Sequence, residues 1–334
     1  MGIAADLVEF FYPFNQDFQE GLEEQPRKSL KDFCDSYKRK HSNYGFDVVE
    51  LVFIVQQLVS QGLLIHTGTL SSISPPLGNT YYTSSFDAQL AAYGSYDFAS
   101  LGFPEIRNFF AKSVQAVVVI KKDDSPDIGS GFLLEDRIFI TARHCIEDMK
   151  NVIITGWDAS LAPLVKLWVP KDERVDLAAL RFDGDPFPGI AGFRIQSSDV
   201  LDDVLTMGYP PIPGFESPLV TEKAQIAGHL KSTTGQVVAR EKAYLDQQVY
   251  LLINARVKGG NSGGPVVNRY GAVVGIVTQL PAEAEGRADV LGYGAAIPTN
   301  VLQQFIQECL NEQSADIREV PFQVTSDGFS TKLR

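Results

Sequence analysis

Three short segments of this sequence set chemistry-bearing residues beside small ones. The first is Gly259-Gly260-Asn261-Ser262-Gly263-Gly264-Pro265, followed by the apolar pair Val266 and Val267. Glycine at 260 and 263 lets the backbone turn tightly around Ser262. Missing side chains at 259, 260, 263 and 264 let a substrate approach the main chain. The amides of Gly260 and Ser262 can then point at one spot, where a tetrahedral oxyanion would sit. The second segment, Ile138-Phe139-Ile140-Thr141-Ala142-Arg143-His144-Cys145, is an apolar strand ending in small residues and a histidine. The third, Val175-Asp176-Leu177-Ala178-Ala179-Leu180, carries an aspartate into a short apolar strand. A serine hydroxyl is a poor nucleophile at neutral pH and needs a base to take its proton. His144 is the candidate base, and the acid that then protonates the leaving amine. Asp176 is the candidate that holds the imidazole in one tautomer and stabilises the imidazolium. Taken singly, each segment has a plainer reading: a Gly-rich hairpin loop, a core histidine, a strand-start aspartate. Of the 4 histidines, however, only His144 follows a strand and Thr-Ala. Asp172 and Asp183 lie near Asp176, but only Asp176 precedes the Leu-Ala-x-Leu run.

The chain order is His, Asp, Ser, which is the order of the chymotrypsin group and not that of subtilisins or α/β-hydrolases. Further matches are Gly129-Ser130-Gly131-Phe132, Gly208-Tyr209-Pro210 and Gly294-Ala295-Ala296-Ile297-Pro298. With these, residues 112–310 resemble a trypsin-like serine protease domain, closest to the Deg/HtrA branch. The resemblance implies an all-β domain of two antiparallel six-stranded barrels with a C-terminal helix. It implies a serine endopeptidase acting on protein or peptide substrates without a cofactor. By alignment with the family, the specificity pocket draws its walls from 254–258, 278–280 and 292–294, which places Arg256, Thr278, Gly292 and Gly294 there. Arg256 near the pocket base would favour an acidic residue before the scissile bond, unless it turns outward to solvent. Gly292 and Gly294 would leave room for medium apolar side chains. Asn261 stands where trypsins proper have an aspartate that pairs with a new N-terminus, so activation by proteolytic trimming is not expected. Gating by conformation, with residues 1–110 reporting a signal, is expected instead. Only residues 311–334 follow Leu310, fewer than the PDZ domain that often follows in Deg/HtrA proteins would need.

The surrounding elements fit this arrangement. Short apolar runs recur from 114 to 182 and again from 204 to 297, divided by Gly, Pro and Asp; the second set includes runs at 219–228 and 248–253. Two sets of short strands fit two antiparallel barrels. Val301, Leu302, Phe305, Ile306, Cys309 and Leu310 then mark the apolar side of a helix. Ahead of the protease region, 29–40 has helical spacing at Leu30, Phe33, Cys34 and Tyr37. Asp47 can cap a second helix with Glu50 completing a box, and Gly62 can end it. A strand pair at 63–66 and 80–83 follows, and two helices with a strand pair resemble a winged helix. The aromatic, Gly-punctuated stretches 93–98 and 101–104 read as a linker that packs its aromatics onto a neighbouring surface. The expected organisation is a mainly helical regulatory module at 1–110, a protease domain at 112–310 and a polar tail at 311–334 with one short strand-like piece at Val320 to Val324.

Composition sets the remaining bounds. The 334 residues are 44% hydrophobic and 21% charged, which excludes a wholly disordered chain. A net charge of -12 repels nucleic acid. Residues 1–110 hold a basic cluster (Arg27, Lys28, Lys31, Lys38, Arg39, Lys40), yet 13 acidic against 7 basic residues make them net -6. DNA-binding domains carry the opposite sign, so an activating protein partner is expected of the module and nucleic acid is disfavoured. Cys34, Cys145 and Cys309 are the cysteines. None lies in 112–140 to pair with Cys145, and free thiols suit a reducing cytoplasm. The acidic N-terminus does not read as a signal peptide. Asp6 breaks a myristoylation pattern after Gly2. No window of 18 apolar residues suggests a membrane span. No His or Cys spacing suits a metal, and no phosphate-binding glycine loop is present. Two rivals stand beside the gated protease: a catalytically silent protease fold used as a binding scaffold, and a protease targeted to DNA.

Overall fold

A computed structural model describes residues 2–13, 27–41, 47–211, 230–278, 292–311 and 314–331. The chain divides into two compact units, Met1–Ile106 and Arg107–Arg334.

The first unit begins with three helices, α1 (Ile3–Phe11), α2 (Leu30–Lys40) and α3 (Val48–Ser60). A reciprocal capping box opens α2: Ser29 Oγ accepts from Asp32 N, and Asp32 accepts from Ser29 N at 2.8 Å. Asp47 caps α3 through Val49 N at 2.8 Å, and Gly62 follows that helix at φ +70°, a conformation that glycine adopts freely. The apolar stripes of the three helices meet in one core of Leu7, Leu30, Phe33, Leu51, Ile54 and Leu58. A hairpin of β1 (Ile65–Thr69) and β2 (Asn79–Tyr82) follows, and Ser29 bridges to Thr80. The stretch expected as a linker is helical instead: α4 (Ala88–Tyr93), α5 (Ser95–Leu101) and α6 (Phe103–Phe110). Asp87 caps α4, and Gly94 at φ +89° separates it from α5. Glycine punctuation marks a break between elements here, while burial of Tyr96 and Phe98 supplies the energy that holds each short helix.

In the second unit the first six strands are β3 (Val114–Ile120), β4 (Pro126–Leu133), β5 (Ile138–Thr141), β6 (Asn151–Ile154), β7 (Leu164–Pro170) and β8 (Ala178–Phe182). The next six are β9 (Asp203–Gly208), β10 (Lys231–Lys242), β11 (Val249–Ile253), β12 (Pro265–Asn268), β13 (Val273–Thr278) and β14 (Gly294–Pro298). Helix α7 (Thr299–Leu310) buries Leu302, Phe305, Ile306 and Cys309. Three short strands close the chain: β15 (Ile317–Glu319), β16 (Gln323–Val324) and β17 (Phe329–Ser330).

The second set forms a closed barrel in the order β10-β11-β14-β13-β12-β9. The first set does not form the six-stranded barrel that was expected. It belongs to a nine-stranded sheet ordered β15-β7-β8-β5-β4-β3-β6-β17-β16. The edges β7 and β6 do not pair with each other; β15 pairs with β7, and Phe329 of β17 pairs with Val152 of β6. An open strand edge presents amides and carbonyls that need partners, and the C-terminal segment supplies them. Residues 317–330, expected in a polar tail, are therefore part of the sheet, with Val320 and Phe329 buried in its core. The long strand β10 escaped the sequence reading because Val237 is its one buried residue, so it lacks the apolar alternation that marks a strand. Its first half pairs with β9 and its second half with β11. The expected strand at 219–228 and His229 lie outside the described residues. All three cysteines are buried free thiols.

Candidate active site

His144 sits on a single 3-10 turn, Arg143–Cys145, at the end of β5. The turn is pinned by bonds from Cys145 N to Ala142 O at 3.1 Å and from Ile146 N to Arg143 O at 2.9 Å. Asp176 reaches it from the loop before β8. One carboxylate oxygen accepts His144 N at 3.0 Å, and the other faces His144 Nδ1 at 2.8 Å. A ring nitrogen against a carboxylate carries the hydrogen, which leaves the lone pair on Nε2, the nitrogen a general base uses. Thr278, at the end of β13, donates its hydroxyl to the same Asp176 oxygen at 2.7 Å.

Burial opposes charge on Asp176, but the His144 ring, its charge, the His144 amide and the Thr278 hydroxyl outweigh it and hold the carboxyl below its usual range. Desolvation likewise opposes the imidazolium. The neighbouring Cys145 sulfur and the Asp176 carboxylate prevail, so His144 titrates above its ordinary value. The imidazole is 46% exposed, and solvent screens these charges.

The serine loop is pressed against the same turn. Gly260 and Gly263 lie at φ +90° and +81°. A Cβ on Gly260 would stand 2.7 Å from Tyr209 O. A Cβ on Gly263 would stand 2.3 Å from Ser130 O and 2.5 Å from Ala142 N, so only glycine permits this approach. A Cβ on Gly129 would meet both Cys145 Sγ at 2.4 Å and Ser262 O at 3.3 Å. The chain at Ser262 and the residue after His144 thus both pack against Gly129.

Buried Ser130 on β4 ties the loop down. Its amide donates to Ser262 O at 2.8 Å, and its hydroxyl donates to Gly260 O at 2.6 Å while accepting from Tyr209 N at 2.9 Å. With their carbonyls held, the amides of Gly260 and Ser262 have no acceptor among the described residues. Among the same residues no hydrogen bond joins the Ser262 hydroxyl to His144 Nε2. Such bonds are often long before substrate binds.

Of the residues expected to line a specificity pocket, Thr278 and Gly294 lie on the adjacent strands β13 and β14, where Thr278 pairs with Ala295. Thr278 is spent on Asp176. Arg256 is exposed, and its carbonyl accepts from Thr233 Oγ1 at 2.8 Å. Gly294 pairs with Ile253, and a Cβ there would lie 2.3 Å from Val257 Cγ2, so Val257 occupies the room expected to be open. Gly292, at φ +69°, has nothing near its missing Cβ. Among the described residues no cluster of His, Cys, Asp or Glu could hold a metal.

Sequence reasoning missed what two residues of this site do. Ser130 lay in a recognised segment, and that segment was the available signal. Thr278 was assigned to the pocket; its bond to Asp176 spans 102 positions and joins the barrel to the loop before β8 of the nine-stranded sheet.

Residues 129–276 match the family described as trypsin-like peptidase domain. This chain carries a trypsin-like peptidase domain. Its relatives are Deg/HtrA serine proteases. The Serine protease Do-like HtrA of Lactococcus lactis is 28% identical over 221 residues, covering 62% of this chain and 52% of that protein. The Probable periplasmic serine endoprotease DegP-like of Ectopseudomonas mendocina is 27% identical over 215 residues, covering 61% and 40%. The chain spans about half the length of these curated relatives, 52% and 40%. The solved serine endoprotease of Yersinia pestis is 22% identical with a TM-score of 0.46, covering 63% of this chain and 67% of that one. The Ectopseudomonas name places that protein in the periplasm, so the cytoplasmic expectation gains no support from the peptidase domain's relatives. Among the described residues no helix is long and apolar enough to cross a membrane.

Proposed function

We propose that this chain is a serine endopeptidase in which Ser262 attacks the scissile carbonyl of a protein or peptide. His144 takes the hydroxyl proton through Nε2 and returns it to the leaving amine. Asp176 orients the ring, and the amides of Gly260 and Ser262 receive the oxyanion. The observation that carries this reading is the 2.8 Å bond from His144 to Asp176 on a turn against which the Ser262 loop is packed. A fluorophosphonate probe should label the wild-type protein and not Ser262→Ala, and a peptide library should be cleaved only by the former. Equal labelling of both proteins would remove the nucleophile from the scheme. A wild type that is folded, unlabelled and inactive would favour the binding-scaffold reading.

The N-terminal unit is proposed to be a regulatory module for a protein partner. Its order of three helices and a hairpin, with the Ser29–Thr80 bridge, supports a winged-helix-like reading. In DNA-binding members of that class a helix enters the major groove. Here α3 carries no Lys or Arg and exposes Val49 and Phe53 at 76% and 49%, which favours a protein partner over nucleic acid. Retention on DNA at physiological salt would reverse that preference. Gating through the module predicts that Val49→Glu with Phe53→Glu alters turnover or its response to partner; unchanged activity under all conditions would remove gating. An acidic preference set by Arg256 remains part of the proposal, and the same peptide library decides it.

A further inference from the structure

The C-terminal segment does more than complete a sheet. Arg318, the middle residue of β15, donates to a carboxylate oxygen of Glu147. The other oxygen of Glu147 accepts from Arg143, the residue before His144. Arg143 is 8% exposed, and it also donates to Pro170 O at 3.3 Å. Pro170 is the register partner of Ile317, the neighbour of Arg318. The bonds therefore form a ring: Arg143 to Pro170, across the ladder to Ile317 and Arg318, then to Glu147 and back to Arg143. A second grip comes from Thr331. Its hydroxyl donates to Ile146 O at 2.5 Å and accepts from Met149 N at 3.0 Å, and its amide donates to Met149 O at 3.1 Å. Beneath both, Val320 and Phe329 share one apolar core with Cys145 and Ile146. Arg318, Val320 and Thr331 also line the cleft that opens beside His144 and Asp176.

We infer that Arg318 is a positioning residue: through Glu147 and Arg143, the C-terminal segment clasps the turn that carries His144. An isolated exposed ion pair does little. Glu147 differs because it is shared by two guanidinium groups, one of them buried. Charge-assisted bonds in such a network hold geometry as well as contributing energy. Burial disfavours the Glu147 anion, yet the two arginines keep its titration below the usual range. The 3-10 turn is one residue either side of His144, so slack at Arg143 moves the imidazole relative to Ser262.

This inference rests on the proposed peptidase chemistry, and its test separates the two. In the full chain, Arg318→Ala should lower kcat on a cleaved peptide about tenfold to a hundredfold, the scale of a small misplacement of a catalytic group. KM should change much less than kcat, because the clasp acts on the His144 turn and not on the substrate. Arg318→Lys, which keeps a cation at Glu147, should recover most of the loss. Glu147→Gln should mimic Arg318→Ala, and the double variant should cost no more than the larger single change, since both act through one path. Arg318 is 40% exposed on its side chain, so the melting temperature should fall little. Wild-type kcat in Arg318→Ala overturns the clasp, as do additive losses in the double variant or a loss confined to KM; Ser262 labelling then leaves the peptidase reading intact. An unlabelled, inactive wild type brings down both.

Discussion

At the residue scale the site depends on what surrounds Asp176. Its carboxylate accepts three hydrogen bonds, two from His144 and one from Thr278. Thr278→Val keeps the shape and removes the last donor. Hydrogen bonds to charged groups contribute about 1.5–3 kcal/mol, so kcat should fall about tenfold or more with KM little changed, and Thr278→Ser should retain activity. Steady-state kinetics check this, and a valine variant with wild-type kcat would show that the hydroxyl does not support Asp176.

The His144 shift has a definite sign. The imidazole must be neutral to take the Ser262 proton, and its pKa is raised above 6.5. Activity should therefore rise with pH along a limb lying above 6.5. Asp176→Asn should move that limb down and lower kcat by roughly 10⁴. The same shift acts on stability. A group whose pKa is raised on folding contributes stability that is fully present below its unfolded value and is lost as pH rises through the folded value. A pH–rate profile with its limb at or below 6.5 in the wild type would contradict the charge pairing.

At the scale of elements, the serine loop and the His144 turn are joined by close backbone approach. Gly263→Ala tests that union. The alanine would sit at φ +81° with its Cβ against Ser130 O and Ala142 N, and neither backbone atom can yield cheaply. A loss of about 1–3 kcal/mol of stability and abolition of fluorophosphonate labelling are expected, read by urea unfolding and probe uptake. A stable, labelled variant would mean that the loop packs less closely than described.

At the scale of the whole molecule, the second compact unit runs from Arg107 to Arg334, and its last described residues are structural. Phe329 is fully buried against the core of the nine-stranded sheet. Phe329→Ala should cost about 3–5 kcal/mol, measured by denaturant unfolding. A cost near zero would return residues 314–331 to the status of a loose tail.

What could be read in the linear chain was local. Ser262 among glycines, His144 after a β-strand and Asp176 before one each carry a pattern of residue type and spacing, because a nucleophile, a base and its orienter need those neighbours. Helices α2, α3 and α7 and most strands were legible for the same reason: burial of one face writes a period into the sequence. Strand β10 wrote none, since one residue of it is buried. The nine-stranded sheet, the bond from Thr278 to Asp176, the hold of Ser130 on the serine loop and the ring through Arg318 were decided by tertiary structure alone. Each joins groups far apart in sequence, and a hydrogen bond between distant residues leaves no periodic trace in either segment; the meeting of sheet with barrel and the pairing of sheet edges create those contacts only once the chain has folded.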